Sequence, residues 1–234
     1  MFAIRHLSRK RSVPPILSLS SIQRPEKQST RKYVTNIEEL EYPPGSTNHH
    51  DLRSFLEYAA RVDLNPESKI YVGTHYEYTV QSALEGLGMP LKRIGGASDY
   101  GTDLLGTWSL PPMSQPLKVL IQCKGHARKV DPSHARELEG AFVGAPQGWR
   151  ESGTLAFLVS QEMATKGLRE ALSRSKWPMG YVQCSRGGKI SQIFWNRRAE
   201  QEGLEGIGVG LKYTGEGANE KETILTWKGK VLKG

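Results

Sequence analysis

The sequence predicts a mixed α/β fold, with a central mixed sheet flanked by helices and a β-rich C-terminal extension. Three observations carry this expectation. Apolar residues recur at helical spacing in Leu52, Phe55, Leu56, Ala59 and Val62, and again in Tyr76, Val80, Ala83, Leu84 and Leu87. Strand-like runs at Leu117–Lys124 and Thr154–Val159 alternate with helical segments starting at Asp131-Pro132-Ser133 and Thr165, the arrangement of an α/β core. Two hairpin patterns then follow, Tyr181–Cys184 with Lys189–Trp195 and Ile207–Tyr213 with Thr223–Trp227.

In chain order, residues 1–35 are rich in Arg and Ser, and the first 25 contain five basic residues and no acid. Phe2, Ile4 and Leu7 are interleaved with Arg5 and Lys10, the composition of a mitochondrial import segment, with a nuclear-import patch at Arg9-Lys10-Arg11 as the rival. Residues 36–68 form an N-terminal helical extension: Tyr42-Pro43-Pro44-Gly45-Ser46 reads as a linker or turn, Thr47, Asn48 or Asp51 signals a helix start, and Asn65-Pro66 closes the helix. His49 and His50 read as exposed first-turn residues, since no third metal ligand follows at helical spacing. The core spans 69–176, with a helix from Tyr71 to Leu87, a strand at Leu91–Ile94 and a Gly95-Gly96 turn. The extension spans 177–234, where Gly203, Gly206, Gly208 and Gly210 read as glycines of a strand region. They do not form a nucleotide loop, because no Lys-Ser/Thr pair or helix follows.

The core is organised around Gly95 to Lys124. From Leu117 onward, Leu117, Val119, Ile121 and Cys123 share one strand face and Lys118, Leu120, Gln122 and Lys124 the other. A preceding strand begins near Asp103 and is ended by Pro111-Pro112. Folding this segment back on itself brings Asp103, Gln122 and Lys124 to one edge. A carboxylate, a neutral carbonyl donor and an ammonium suit phosphodiester hydrolysis. Mg²⁺, or Mn²⁺ in its place, is held by one or two carboxylates plus substrate phosphate, and an ammonium offsets the charge that develops on the phosphorane. Asp103, Gln122 and Glu77 are the expected metal ligands, Glu77 coming from the preceding helix. With Lys124 they make the expected catalytic set. Asp99-x-Gly101-x-Asp103 is not a calcium loop, since its twelfth position is Leu110; Asp99 reads as a turn cap, with a reach to a second metal as the alternative.

The ordered set Gly73-x-x-x-Glu77, Asp99-x-Gly101-x-Asp103, Gln122-Cys123-Lys124 and Glu137-Leu138-x-Gly140 resembles the Mrr-type branch of the PD-(D/E)xK restriction-endonuclease-like superfamily over about residues 70–175. Tyr71-Val-Gly-Thr-His-Tyr-Glu77 with Arg93-Ile-Gly-Gly and Gly101-x-Asp103-Leu-Leu-Gly is similar to the fungal mitochondrial "required for respiratory growth" proteins. The resemblance implies a restriction-endonuclease-like core and a metal-dependent endonuclease of the mitochondrial matrix acting on DNA, with RNA as the other substrate and a homodimer compatible with it. The alternative is a catalytically silent nucleic-acid-binding maintenance factor that keeps the fold.

Charge discriminates weakly. The net charge is +8, but five of those charges lie in the first 25 residues. The remainder therefore supports nucleic-acid binding less than the whole-chain value suggests. Two cysteines, Cys123 and Cys184, supply neither a disulfide framework nor a zinc set, and Cys123 reads as a small core residue. No run of about 18 or more apolar residues is present, so no membrane span is expected.

Overall fold

The computed structural model describes residues 40–95, 101–111, 113–214 and 220–232. The expected import segment and Asp99 lie outside them.

Helix α1 (Leu52–Arg61) starts at Asp51, whose carboxylate accepts the Ser54 N–H at 2.7 Å while the Ser54 hydroxyl accepts the Asp51 N–H at 3.1 Å. This reciprocal pair satisfies donors that a helix start leaves open. The helix ends before Asn65-Pro66, because Asp63 turns to φ 50°. Helix α2 (Lys69–Glu85) starts two residues earlier than its apolar spacing suggests, since Ser68 caps it by accepting from Tyr71 N–H. Phe55 and Ala59 of α1 pack on Tyr78 of α2. The Tyr42 segment is a packed strap rather than a free linker. Leu40 and Tyr42 cover the core, and Trp149 Nε1 donates to the Glu41 carbonyl at 3.0 Å.

Strands β1 (Leu91–Arg93), β2 (Leu104–Trp108), β3 (Leu117–Lys124), β4 (Thr154–Ser160), β5 (Met179–Cys184) and β6 (Ile190–Trp195) form one six-stranded mixed sheet in chain order. β3, β4 and β5 are parallel; the outer pairings are antiparallel. Helices α3 (Pro132–Gly144) and α4 (Lys166–Arg174) make the crossovers that parallel neighbours require. Asp131 and Thr165 cap them.

Both faces of the sheet are covered, so the central strands are apolar on both sides. One core combines Tyr76, Val80 and Leu84 of α2 with Val119, Ile121 and Phe157; the other combines Leu138, Phe142 and Leu168 of the crossover helices with Leu120 and Leu158. The alternation expected in β3 holds: Val119 and Ile121 enter the first core, Leu120 the second.

Strands β5 and β6 lie beyond residue 177 yet complete the main sheet. The separate C-terminal sheet is β7 (Ile207–Thr214), β8 (Glu220–Trp227) and β9 (Lys230–Val231). Between them runs a short helix α5 (Arg197–Ala199), capped by Asn196, leading into a π-helical turn at Glu200–Leu204. Gly203 lies in that turn at φ 150°, and Gly206 at φ 82° precedes β7, so only Gly208 and Gly210 are strand glycines. The hydrophobic pattern missed this turn because Ala199 and Leu204 are its only buried residues. No described helix is long and apolar enough to cross a membrane.

Candidate metal centre

The β2–β3 ladder ends at Leu104 opposite Ile121, whereas β3 continues against β4 as far as Lys124 opposite Ser160. Past Ile121 the strands splay, and Cys123 N–H has lost its β2 partner. Asp103 fills the gap: its Oδ2 accepts that N–H at 2.6 Å. Its carbonyl accepts from Ile94 N–H at 2.9 Å and Gly95 N–H at 3.0 Å, which ties the end of β1 to the start of β2.

Gly95 makes room for two carboxylates. A side chain there would begin 3.1 Å from Glu77 Oε2 and 3.5 Å from Asp103 Oδ1, so both oxygens approach one point from α2 and from the start of β2. Gln122 is 6% exposed, and its amide nitrogen lies beside Gly101, 3.3 Å from where a side chain on that residue would begin. Its Oε1 is buried with no hydrogen-bond partner among the described residues, and so is Oγ1 of Thr102, the neighbour of Asp103. Gln81 Oε1 and Thr154 Oγ1 share this state outside the splay. Lys124 extends to α3, where its Nζ meets Glu137 Oε2 at 2.7 Å.

Glu77 and Asp103 thus converge, Asp103 bonds to the backbone between Gln122 and Lys124, and Lys124 is oriented by Glu137. Sequence reasoning assigned no role to Arg93 or to Glu137. Arg93 stands in β1 with its side chain 10% exposed, and its Nε donates to Glu77 Oε2 at 2.5 Å. One guanidinium nitrogen lies 3.4 Å from the same point above Gly95, and its carbon stands 5.6 Å from the Tyr78 ring centre. Nothing in the local spelling distinguishes this arginine from the exposed Lys92 beside it. Glu137 belonged to the motif that carried the resemblance, but only the register of α3 against β3 shows its partner.

Cys123 and His49 complete the surroundings. Burial, then the Asp103 and Glu77 carboxylates, hold the Cys123 thiol well above its ordinary pKa, so it is no thiolate donor. His49 is half-buried rather than exposed. Its Nδ1 lies 2.7 Å from Tyr78 Oη and its ring packs edge-on against Phe55. Aromatic packing between α1 and α2, invisible in local spacing, draws it in.

Among the described residues, no group of three or more His, Cys, Asp or Glu is placed to hold a metal. The donor set nevertheless fits Mg²⁺, which needs few protein ligands when phosphate supplies others. Two carboxylates approach one point above Gly95, and on β3 the Gln122 carbonyl oxygen is buried without a partner among the described residues, which is costly. Glu77, Asp103 and Gln122 would hold the ion. When bound, it would polarise a phosphodiester and favour ionisation of the attacking water. Lys124, kept in place by Glu137, would turn a positive charge toward a bound phosphodiester.

The fold and these residues define a mixed α/β protein with a carboxylate–amide–ammonium cluster where two central strands part. The sequence profile of the family described as "Required for respiratory growth protein 7" matches residues 68–115 and 112–210, and the chain belongs to that family. It is 31% identical over 158 residues to an uncharacterized mitochondrial protein of Schizosaccharomyces pombe, an alignment covering 66% of this chain and 62% of that relative. It is also 26% identical over 178 residues to the mitochondrial Required for respiratory growth protein 7 of Saccharomyces cerevisiae, covering 58% of this chain and 72% of that one. The Candida glabrata protein of the same name is 27% identical over 179 residues, covering 57% and 70%. The chain therefore spans less than two thirds of the Schizosaccharomyces relative's length. No solved structure gives a significant match.

Proposed function

We propose that the protein is a divalent-metal-dependent nuclease of the mitochondrial matrix with a restriction-endonuclease-like core, acting on DNA and needed for respiratory growth. The observation that carries this reading is the buried Gln122 Oε1, without a partner among the described residues, on the strand whose backbone Asp103 holds at the splay. A carbonyl oxygen with no partner is a poor structural device and a good cation ligand. The exposed His126, Arg128 and Lys129 follow directly on Lys124 and suit the phosphate backbone of a strand entering there. The relatives named as mitochondrial, and the acid-free, Arg-rich first 25 residues, support the location.

The test is Mg²⁺- or Mn²⁺-dependent cleavage of duplex, branched and single-stranded DNA, and of RNA, by wild type and Lys124→Ala. Wild type should cut at least one form. The variant should lose roughly 10²-fold or more in turnover, the scale of one electrostatic stabiliser of a transition state, while DNA affinity changes little. Absence of cutting on every form would refute the catalytic reading.

A second reading is a nucleic-acid-binding maintenance factor without catalysis. The observation favouring it is the Arg93–Glu77 pair, which engages an expected metal ligand with a protein cation. Under that reading Lys124→Ala weakens binding modestly and leaves background cleavage unchanged.

A further inference from the structure

We propose that Arg93 is a resident cation of this site, competing with the divalent ion for Glu77 and so making metal loading depend on a bound phosphodiester. This inference rests on the metal-dependent reading above and adds a coupling that the reading does not require.

Arg93 and Glu77 have side chains 10% and 13% exposed, and their contact is 2.5 Å. Glu77 Oε2, Asp103 Oδ1 and an Arg93 guanidinium nitrogen all lie within 3.5 Å of one point above Gly95. Among the described residues, two carboxylates and one guanidinium at that point carry a single net negative charge. The neighbouring Lys124 is balanced by Glu137. A divalent ion alone would turn that charge into a single positive one, next to a guanidinium that cannot lose its proton. An arriving phosphodiester anion relieves that conflict. With metal and phosphodiester together the formal charge closes to zero.

Arg93 is also held where it is. Thr74 Oγ1 lies 3.5 Å from its terminal nitrogen, and the Tyr78 ring faces it. The guanidinium therefore cannot swing into solvent as a surface arginine would, and it acts on the ion at short range in a weakly screened setting. A surface salt bridge at the same separation would make no such demand.

The experiment is Mn²⁺ binding to the full chain by electron paramagnetic resonance, with and without a phosphorothioate oligodeoxynucleotide that resists cleavage, for wild type, Arg93→Gln and Arg93→Lys. Wild type should bind Mn²⁺ about tenfold or more tightly with the oligonucleotide present, the scale on which one neighbouring charge moves a carboxylate's affinity for a cation. Arg93→Gln should bind Mn²⁺ about tenfold more tightly than wild type without oligonucleotide and show a smaller gain on adding it. Arg93→Lys keeps the charge and should behave as wild type does. If Arg93→Gln does not fold, the oligonucleotide dependence of wild type still decides: affinity that is equal with and without it overturns the inference. Wild type that cleaves DNA while Arg93→Gln binds Mn²⁺ no more tightly overturns the inference alone. Absence of Mn²⁺ binding in every variant overturns both readings.

Discussion

Strand β3 carries a lysine near each end, Lys118 and Lys124, on the same face and six residues apart, and the protein treats them in opposite ways. Lys118 is 2% exposed; its Nζ donates to the Gly148 carbonyl at 2.5 Å and lies 3.4 Å from Glu151 Oε2. Lys124 is 21% exposed and meets Glu137 at the rim. The difference comes from β2. At the first end β2 is still paired, with Thr107 opposite Lys118, and the side chain is enclosed by the 148–151 loop. At the other end β2 has already left, and the opening holds Asp103, Glu77 and Gln122. Strand parity placed both lysines on one face; only the neighbouring strand's point of departure separates a packed cation from an available one.

The largest expected effect sharpens that contrast. Lys124→Ala should abolish most turnover with little change in thermal stability, since a partly exposed ion pair contributes at most about 1 kcal/mol. Lys118→Ala should do the reverse. It strips a buried stem and orphans the Gly148 carbonyl, at a cost of roughly 2–4 kcal/mol, while activity per folded molecule stays near wild type. Denaturant unfolding and single-turnover cleavage on both variants test this; equal stability losses would break the comparison.

Asp103 separates structure from chemistry at the splay itself. Asp103→Ala leaves Cys123 N–H without its acceptor and should cost about 1–3 kcal/mol. Asp103→Asn keeps an oxygen for that N–H and removes the charge, so it should retain most stability and lose Mn²⁺ affinity. Calorimetric titration with Mn²⁺ beside thermal unfolding reads both. If Asp103→Asn binds Mn²⁺ as wild type does, the carboxylate serves only the backbone.

Much of the fold was legible from the sequence, and the reasons are local. The alternation of β3, the Asp131 and Thr165 caps and the glycine-linked hairpins are encoded within a few residues, so they appear where spacing places them. That Asp103 comes to lie against the Gln122–Lys124 end of β3 was legible because a hairpin of this length constrains where its ends meet. Arg93, Glu137 and His49 were not, because their roles depend on partners 13 to 29 residues away that only packing brings near. The π-helical turn after α5 was hidden for a different reason: glycine at positions 203 and 206 serves a turn as readily as a strand.

Gln122 tests whether an unpaired buried amide is a ligand or a flaw. Gln122→Met should leave stability unchanged or slightly higher, since it removes a desolvated carbonyl without a partner, yet weaken Mn²⁺ binding. Gln122→Glu should tighten it by adding a charged oxygen. A marked loss of stability in Gln122→Met, measured by urea unfolding, would show that the amide is satisfied in solution and has no need of an ion.

The smallest expected effect lies at the contact between α1 and α2. Burial, followed by the nearby Arg93 guanidinium and then His50, lowers the pKa of His49 below its ordinary value near 6.5. The folded state therefore binds a proton less readily than the unfolded chain. Between the two pKa values the unfolded chain holds more protons, so stability falls as pH drops below about 6.5 and levels off once pH is below the folded value. Above pH 7 the contribution is fully present. His49→Gln, which keeps a side-chain hydrogen-bonding group for Tyr78 but does not titrate, should flatten the pH dependence of the melting temperature between about pH 5 and 7. Arg93→Gln should also shrink that slope by raising the His49 pKa toward its ordinary value, which ties the helix contact to the same guanidinium that faces the carboxylates. An unchanged slope in both variants would place the acid sensitivity elsewhere in the chain.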